Sequence, residues 1–266
     1  MAFYVSKYDT ITNKAVVLDL DETLIHTTDD MALLKTLGIL TNPKLMALRR
    51  RIGVVHIDDV VSSRGSGIKS DLWFIKRPYL KEFLIFCFAY FRVVTVWSAG
   101  VNKYVKSIVK EIFKDIKPPV VIYTRDDTVE NPSDGEYDKP LSKLISEVPG
   151  LSKYMSMNNT LILDDKATTF RANPNNGVLS PKYNPPFTIS GIMEQDIALL
   201  QFREWLLKPA VISSEDVRTL DKRRIFTTPL AKISKLDSKD SGFRKDLLGT
   251  KVTAGVPQTP RILVKG

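Results

Sequence analysis

The segment Ala15-Val16-Val17-Leu18-Asp19-Leu20-Asp21-Glu22-Thr23-Leu24 has the most informative pattern in this chain. Its first four residues are apolar, and an acidic residue follows them at once. An apolar run that ends in a polar side chain is typical of a buried parallel strand, which presents that side chain at its carboxyl end. We therefore predict a strand over 15–18 and a functional carboxylate at Asp19.

Three further apolar runs repeat this pattern along the chain. They are Phe91–Trp97, which precedes Ser98, Val120–Tyr123, and Thr160–Leu163, which precedes Asp164-Asp165. Helical patterns over 78–90 and 101–113 lie between the runs. Alternating strands and helices predict an α/β fold, a Rossmann-like parallel sheet flanked by helices.

An insertion separates the first predicted strand from the helix at 78. It spans roughly 31–75 and is too long for a simple connection. Residues 31–37 and 43–51 have helical patterns, and 52–61 and 68–75 have strand patterns on either side of Arg64-Gly65-Ser66-Gly67. The sequence thus predicts an inserted β-hairpin after the first strand.

Charge divides the chain near residue 207. Residues 1–207 carry 26 Lys+Arg and 24 Asp+Glu, whereas 208–266 carry 13 and 6. We predict one domain over 1–207 and a basic, largely irregular C-terminal tail over 208–266, with segments docked on the body. Such a tail suits an acidic partner or nucleic acid, and a solvated extension is the alternative.

Composition argues against several protein classes. The chain has no apolar run long enough to span a membrane, and its first residues lack the apolar core of a signal peptide. Its single cysteine, Cys87, allows no intramolecular disulfide. We expect an intracellular protein, nuclear or cytoplasmic, with no membrane partner.

Asp19, Ser98 and Asp164-Asp165 should meet at one edge of the sheet. In an open α/β sheet, ligands bind beyond the carboxyl ends of the strands. The carboxylates of Asp19 and Asp21 are so close that they need a cation nearby, or one of them must take a proton. Mg²⁺ prefers such hard oxygen ligands. A carboxylate there can attack phosphorus, and a protonated neighbour can supply a proton to the leaving group. Thr23 can hold the loop through its hydroxyl.

These residues carry a resemblance to a known family. The segment 19–24 resembles the signature of the haloacid dehalogenase superfamily. Glu22, where most of that superfamily has Gly, is similar to the RNA polymerase II C-terminal-domain phosphatases and their small relatives. The resemblance continues in order through 24–26, 76–84, 98–104, 137–144 and 161–165.

The resemblance implies a role for each matching position. Asp19 would be the nucleophile and a metal ligand, and Asp21 the general acid/base with its backbone carbonyl on Mg²⁺. Ser98 and Lys139 would hold phosphate oxygens, and Arg125 would contact the substrate. The metal site would be completed by Asp165 as a ligand and by Asp164 beside it.

The implied activity is that of a Mg²⁺-dependent serine/threonine phosphoprotein phosphatase. Its substrate would be a phosphorylated protein or peptide, with the RNA polymerase II C-terminal repeat as a candidate, bound beside the inserted hairpin. One alternative is a phosphatase of the same superfamily that acts on a nucleic-acid 3′-phosphate or a small phosphoester. Another is a phosphopeptide-binding scaffold without catalysis.

Four of these residues also have purely structural interpretations. Ser98 could cap the helix over 101–113, and Asp164-Asp165 could cap a short helix. Lys139 could be a surface lysine. Arg77, next to Pro78, is expected to be structural and paired with an acid.

Overall fold

The structure is a computed structural model that describes residues 10–58, 69–229 and Ile233. Its strands are short and are separated by helices, as the sequence predicts. The strands are β1 Ala15–Leu18, β2 Ile25–Thr28, β3 Ile52–Asp58, β4 Lys69–Lys76, β5 Val93–Trp97, β6 Ile122–Tyr123, β7 Val129–Glu130, β8 Tyr137–Asp138, β9 Thr160–Asp164 and β10 Gly177–Leu179. The helices are α1 Met31–Thr36, α2 Met46–Arg49, α3 Leu80–Tyr90, α4 Asn102–Ile112, α5 Leu141–Glu147, α6 Ile189–Met193, α7 Ala198–Leu206 and α8 Pro209–Ile212.

A five-stranded parallel sheet forms the centre of the molecule. Its order is β10-β9-β1-β5-β6, and every neighbouring pair is parallel. β1 occupies the middle because all four of its residues are apolar and fully buried, as a strand covered on both faces requires. The predicted α/β fold is confirmed.

The two faces of this sheet bury separate hydrophobic clusters. Side chains alternate along β1, so Val16 and Leu18 face one cluster whereas Ala15 and Val17 face the other. The first cluster includes buried residues of α3, α4 and α7, and the second includes Leu141 of α5. The sheet is therefore flanked by helices, as predicted, although the sequence patterns did not indicate α5 or α7.

The insertion forms a second, antiparallel sheet. Its order is β2-β4-β3, and β3 pairs with β4 from Ile52–Ile75 to Asp58–Lys69. The predicted hairpin strands are thus present, while the predicted turn at 64–67 lies outside the described residues. β3 packs against α4, where Val55 and Ile57 join the cluster on that face of the main sheet.

The body of the structure continues past residue 207. Val211, Val217 and Ile225 are buried in the first cluster, and the Lys14 ammonium donates to the carbonyls of Ile212 (2.9 Å) and Ser214 (2.8 Å). These docked segments explain how a stretch poor in apolar residues is held, because three of its apolar side chains are buried in the core. The predicted tail beyond residue 229, apart from Ile233, lies outside the described residues, so the domain boundary stays a prediction.

Among the residues that the structure describes, none of the helices combines the length and the apolar character needed to cross a bilayer.

Candidate active site

The carboxyl ends of three adjacent strands bring the predicted site residues together. β9, β1 and β5 are neighbours, and Asp164, Asp19 and Ser98 lie at or directly after their last residues. The Asp19 N–H donates to the Leu163 carbonyl at 3.0 Å, which fixes the loop after β1 against β9. All three side chains are buried, so the polar groups at this edge are shielded from bulk water.

Lys139 lies in this site, buried between two carboxylates. Its ammonium donates to Asp19 Oδ1 and to Asp164 Oδ2, both at 2.6 Å. Burial acts to lower the pKa of Lys139, but the ion pairs with Asp164 and Asp19 outweigh it and raise that pKa. Lys139 is only 1% exposed, so it is not a surface lysine.

Asp19, Asp164 and Asp165 form a group of carboxylates that could hold a metal ion. One ligand oxygen from each lies within 4.8 Å of the others. Burial raises the pKa of Asp19 well above its ordinary value, and Lys139 offsets only part of that rise. Burial and then repulsion from Asp164 raise the pKa of Asp165. Three carboxylates against one ammonium leave an excess of negative charge, which suits a divalent cation with a preference for oxygen.

Thr23 joins this group from the loop after β1. Its hydroxyl donates to Asp165 Oδ1 at 3.3 Å, and its carbonyl accepts from the Arg77 guanidinium at 2.9 Å. Thr23 is fully buried. It therefore connects the loop that carries Asp19 and Asp21 to the end of β9.

Asp21 contacts α4 and β2 through its carboxylate. Its Oδ1 accepts hydrogen bonds from the hydroxyls of Tyr104 and, at 3.3 Å, Thr27. Its Oδ2 lies 3.5 Å from Ser98 Oγ. Burial raises the pKa of Asp21, although both hydrogen bonds oppose the rise. A raised pKa favours the protonated carboxyl that a general acid requires.

Ser98 does not cap the following helix. The N-cap of α4 is Val101, while the Ser98 hydroxyl accepts from the Gly100 N–H at 3.0 Å. That contact shapes the loop between β5 and α4. The hydroxyl itself faces the Asp21 carboxylate, at the edge where the predicted phosphate site lies.

Arg125 lies farther out, at the rim. Its Nε donates to the Ala99 carbonyl at 2.8 Å, and its guanidinium lies 5.5 Å from the centre of the Tyr137 ring. The side chain is exposed, so it borders the Ser98 loop without entering the buried group. This position is open to a ligand, as a substrate contact requires.

Sequence patterns missed two residues that touch Asp21. The helical pattern over 101–113 includes Tyr104 but indicates no role for it, and the sequence indicates no role for Thr27. The sequence does hold a signal for Tyr104. This residue lies in the first turns of the helix that follows β5, and because β5 pairs with β1, those turns lie beside the loop after β1. Thr27 gave no comparable signal, since the strand β2 was not predicted.

Arg77 is the structural centre behind the site, as expected. It is 1% exposed and forms a two-point ion pair with Asp196, with both contacts at 2.8 Å. It also donates to the Thr23 carbonyl (2.9 Å), the Ser180 hydroxyl (2.9 Å) and the Pro181 carbonyl (2.8 Å). One side chain thus joins the loop after β1 to the segment 180–196.

Replacing Arg77 with Met should destabilise the fold by about 3–5 kcal/mol, because it leaves Asp196 without its cation and several acceptors without a donor. Urea unfolding followed by circular dichroism measures this. Arg92→Met, which removes a half-buried guanidinium that stacks on Tyr154, is the matched control and should cost much less. Equal losses in the two variants would contradict the central role of Arg77.

Comparison with known proteins assigns the family. The sequence model of the NLI interacting factor-like phosphatases matches residues 14–218. Ubiquitin-like domain-containing CTD phosphatase 1 from Gallus gallus and from Homo sapiens is 30% identical over 138 residues, which are 50% of this chain and 41% of each relative. The chain therefore spans less than half the length of the curated relatives that it matches.

Comparison with solved structures gives two matches at low identity. One is fission yeast RNA polymerase II CTD phosphatase Fcp1-R271A bound to beryllium fluoride, at 17% identity, covering 91% of this chain and 68% of that chain with a TM-score of 0.48. The other is Fcp1, an essential RNA polymerase II CTD phosphatase, at 16% identity with the same coverage and a TM-score of 0.49. The family match covers most of the chain and confirms the resemblance stated above. This chain belongs to the NLI interacting factor-like phosphatase family.

Proposed function

We propose that this chain is a Mg²⁺-dependent phosphatase that removes phosphate from phosphoserine or phosphothreonine residues of proteins. The observation that carries the proposal is the buried group around Asp19, which pairs a carboxylate nucleophile with the Lys139 ammonium and lies beside a protonatable Asp21. A phosphorylated protein is the proposed partner, with the RNA polymerase II C-terminal repeat as the candidate substrate. The setting is intracellular, nuclear or cytoplasmic.

In the first step, an Asp19 carboxylate oxygen attacks phosphorus and the bond from phosphorus to the serine oxygen breaks. Asp21 gives its proton to that oxygen, so the alcohol leaves neutral. Ser98 and Lys139 hold the phosphate oxygens, and Arg125 contacts the substrate at the rim. In the second step, Asp21 takes a proton from water, the resulting oxygen attacks phosphorus, and the bond to Asp19 breaks to release phosphate.

The donor set fits a magnesium ion. Asp19, Asp164 and Asp165 would hold it, with the Asp21 backbone carbonyl as the further ligand that the family implies. When bound, the ion supplies positive charge to the phosphoryl oxygens. Thr23 keeps the Asp165 carboxylate oriented through its hydroxyl.

Turnover of a panel of substrates tests the proposal. The panel contains a phosphoserine heptad-repeat peptide, an unrelated phosphopeptide, an oligonucleotide with a 3′-phosphate and a sugar phosphate, each with Mg²⁺ and with a chelator. We expect phosphopeptide turnover that the chelator abolishes and added Mg²⁺ restores. Turnover of the oligonucleotide or the sugar phosphate alone would favour another phosphoester, and binding without turnover would favour a scaffold.

Replacing Asp21 with Asn should lower turnover of a phosphoserine peptide by about 10²–10⁴-fold, the usual contribution of general acid–base catalysis. The loss should be smaller for p-nitrophenyl phosphate, because nitrophenolate leaves without a proton. Tyr104→Phe should show the same dependence on the leaving group with a smaller loss, since it removes one donor to Asp21. Steady-state kinetics on both substrates measures the two effects.

The control is Tyr123→Phe, which removes a hydroxyl that lies 3.4 Å from the Glu147 carboxylate rather than beside Asp21. This substitution should change turnover of the phosphoserine peptide and of p-nitrophenyl phosphate by the same factor. If Asp21→Asn lowers turnover of the two substrates by the same factor, Asp21 is not the general acid.

A further inference from the structure

The solvent face of α4 carries a row of lysines. Tyr104, Val105, Ile108, Val109 and Ile112 are buried and form the inner face of this helix. The lysines stand at positions three or four apart, so at 3.6 residues per turn they share the opposite face. The residues of this lysine face are Lys103, Lys106, Lys110 and, just beyond the end of the helix, Lys114.

The stability of α4 does not explain the lysine face. Like charges four residues apart, as at Lys106, Lys110 and Lys114, destabilise a helix slightly. The first turn of α4 has no acidic residue that would complement the positive end of the helix dipole. Glu111 in α4 and Asp115 just beyond it lie beside this face, and Asp115 pairs with Lys81 at 3.6 Å. Four lysines against these two acids leave an excess of positive charge, which suits a negatively charged ligand.

The lysine face begins beside the candidate active site. Tyr104, in the first turns of α4, donates to Asp21, and its neighbour Lys103 is exposed, about 100° farther around the helix. At 1.5 Å per residue, Lys110 lies about 9 Å and Lys114 about 15 Å farther along the helix than Tyr104. An extended peptide advances about 3.3 Å per residue. These lengths correspond to about three to five residues from the phosphoresidue.

The surroundings of α4 favour a peptide over a nucleic acid. β3 of the inserted hairpin packs on one side of α4. At the loop before α4, the Arg125 N–H donates to the Gly100 carbonyl at 2.9 Å, and exposed Asp126 and Glu130 follow along the chain. A continuous polyanion that crosses the site would meet these carboxylates. A peptide can place its negative charges on the lysine side alone.

We infer that the lysine face binds a second phosphate or an acidic side chain of the peptide substrate, about three to five residues from the phosphoresidue in the active site. The inference rests on the proposed function and narrows its substrate class to multiply phosphorylated or acidic phosphopeptides. Each contact is an exposed ion pair, so the preference is moderate and depends on salt.

Kinetics on matched peptides tests the inference. The peptides carry one phosphate, or two phosphates separated by one, three, four or five residues on either side. For a spacing of three to five residues in the direction of the lysine face, kcat/KM should exceed that of the singly phosphorylated peptide by about 3- to 10-fold. A spacing of one residue should give no gain, and about 0.5 M salt should remove most of the preference.

Charge reversal identifies the surface. In the Lys110→Glu, Lys114→Glu double variant, the ratio of kcat/KM for the doubly and singly phosphorylated peptides should fall to one or below. The matched control, Lys153→Glu with Lys208→Glu, reverses two exposed lysines outside α4 and should keep the wild-type ratio. An unchanged ratio in the first variant, or equal changes in both, would overturn the inference.

Two outcomes separate this inference from the proposed function. If the wild type turns over none of the phosphopeptides, the proposed function fails. If it turns over singly and doubly phosphorylated peptides equally well, only the lysine-face inference fails. A single-stranded RNA that inhibits the wild type but not the double variant, with no change in the peptide ratio, would make the face a nucleic-acid surface and also overturn the inference.

Discussion

Replacing Asp19 with Asn is expected to lower phosphatase turnover by about 10⁴-fold or more, because the amide cannot attack phosphorus. The same change should leave the metal-free fold as stable as the wild type or more stable. Asp19 is 6% exposed, and burial raises its pKa well above the ordinary value, so its charge is unfavourable in the folded state at neutral pH. Phosphopeptide assays and urea unfolding in the presence of a chelator measure the two effects.

The sign of this stability effect follows from proton binding. A carboxyl whose pKa is raised by folding binds protons more tightly in the folded chain, so its contribution to stability falls as pH rises through the raised pKa. The Asn side chain does not titrate, and the gain from Asp19→Asn should therefore increase with pH over that window. Glu215→Gln, at an exposed carboxylate near Lys14, is the control and should change neither property. Turnover by Asp19→Asn above about 1% of the wild type would rule out this residue as the nucleophile.

Replacing Lys139 with Met is expected to abolish turnover and to destabilise the metal-free chain by about 3–5 kcal/mol at neutral pH. Methionine keeps most of the side-chain volume but removes the cation that Asp19 and Asp164 share, each at 2.6 Å. Both carboxylates are buried, so they would be left without a counter-charge in a poorly hydrated site. Urea unfolding at several pH values measures the deficit.

The pH dependence distinguishes this cause from a packing defect. Protonation removes the uncompensated charge, so the stability deficit of Lys139→Met should shrink between about pH 7 and about pH 5. A second substitution, Asp164→Asn, should recover part of the loss because the two residues are coupled. Lys153→Met, at an exposed lysine, is the control. A deficit that stays constant with pH would indicate lost packing instead of lost charge.

Much of the site was predictable because it depends on local patterns. The strands that carry Asp19, Ser98 and Asp164 are apolar runs, and each run ends where a polar residue appears. Carboxyl ends of parallel strands meet at one edge, so the strand assignments also predicted that these residues would meet. Only the family resemblance predicts a role for Lys139, because a single lysine after a short polar stretch has no local pattern that indicates a function.

The unpredicted parts of the fold are short or weakly patterned. β10 has only three residues, and the stretch 208–229 contains few apolar side chains, yet Val211, Val217 and Ile225 are all buried. Their burial depends on a surface formed by distant segments, because α7 packs against α8 and against 225–227, and 174–176 packs against 217–219. Such a surface exists only after the sheet and its helices have assembled.

Local sequence patterns predict the parallel sheet, the inserted hairpin and the carboxylates at the strand ends, since strand formation and side-chain alternation act over a few residues. The groups that surround those carboxylates become visible only in the folded structure. Tyr104 reaches Asp21 because β5 pairs with β1, and Arg77 meets Asp196 across 119 residues of chain. These contacts depend on strand order and on helix packing, which join distant segments that no local pattern relates.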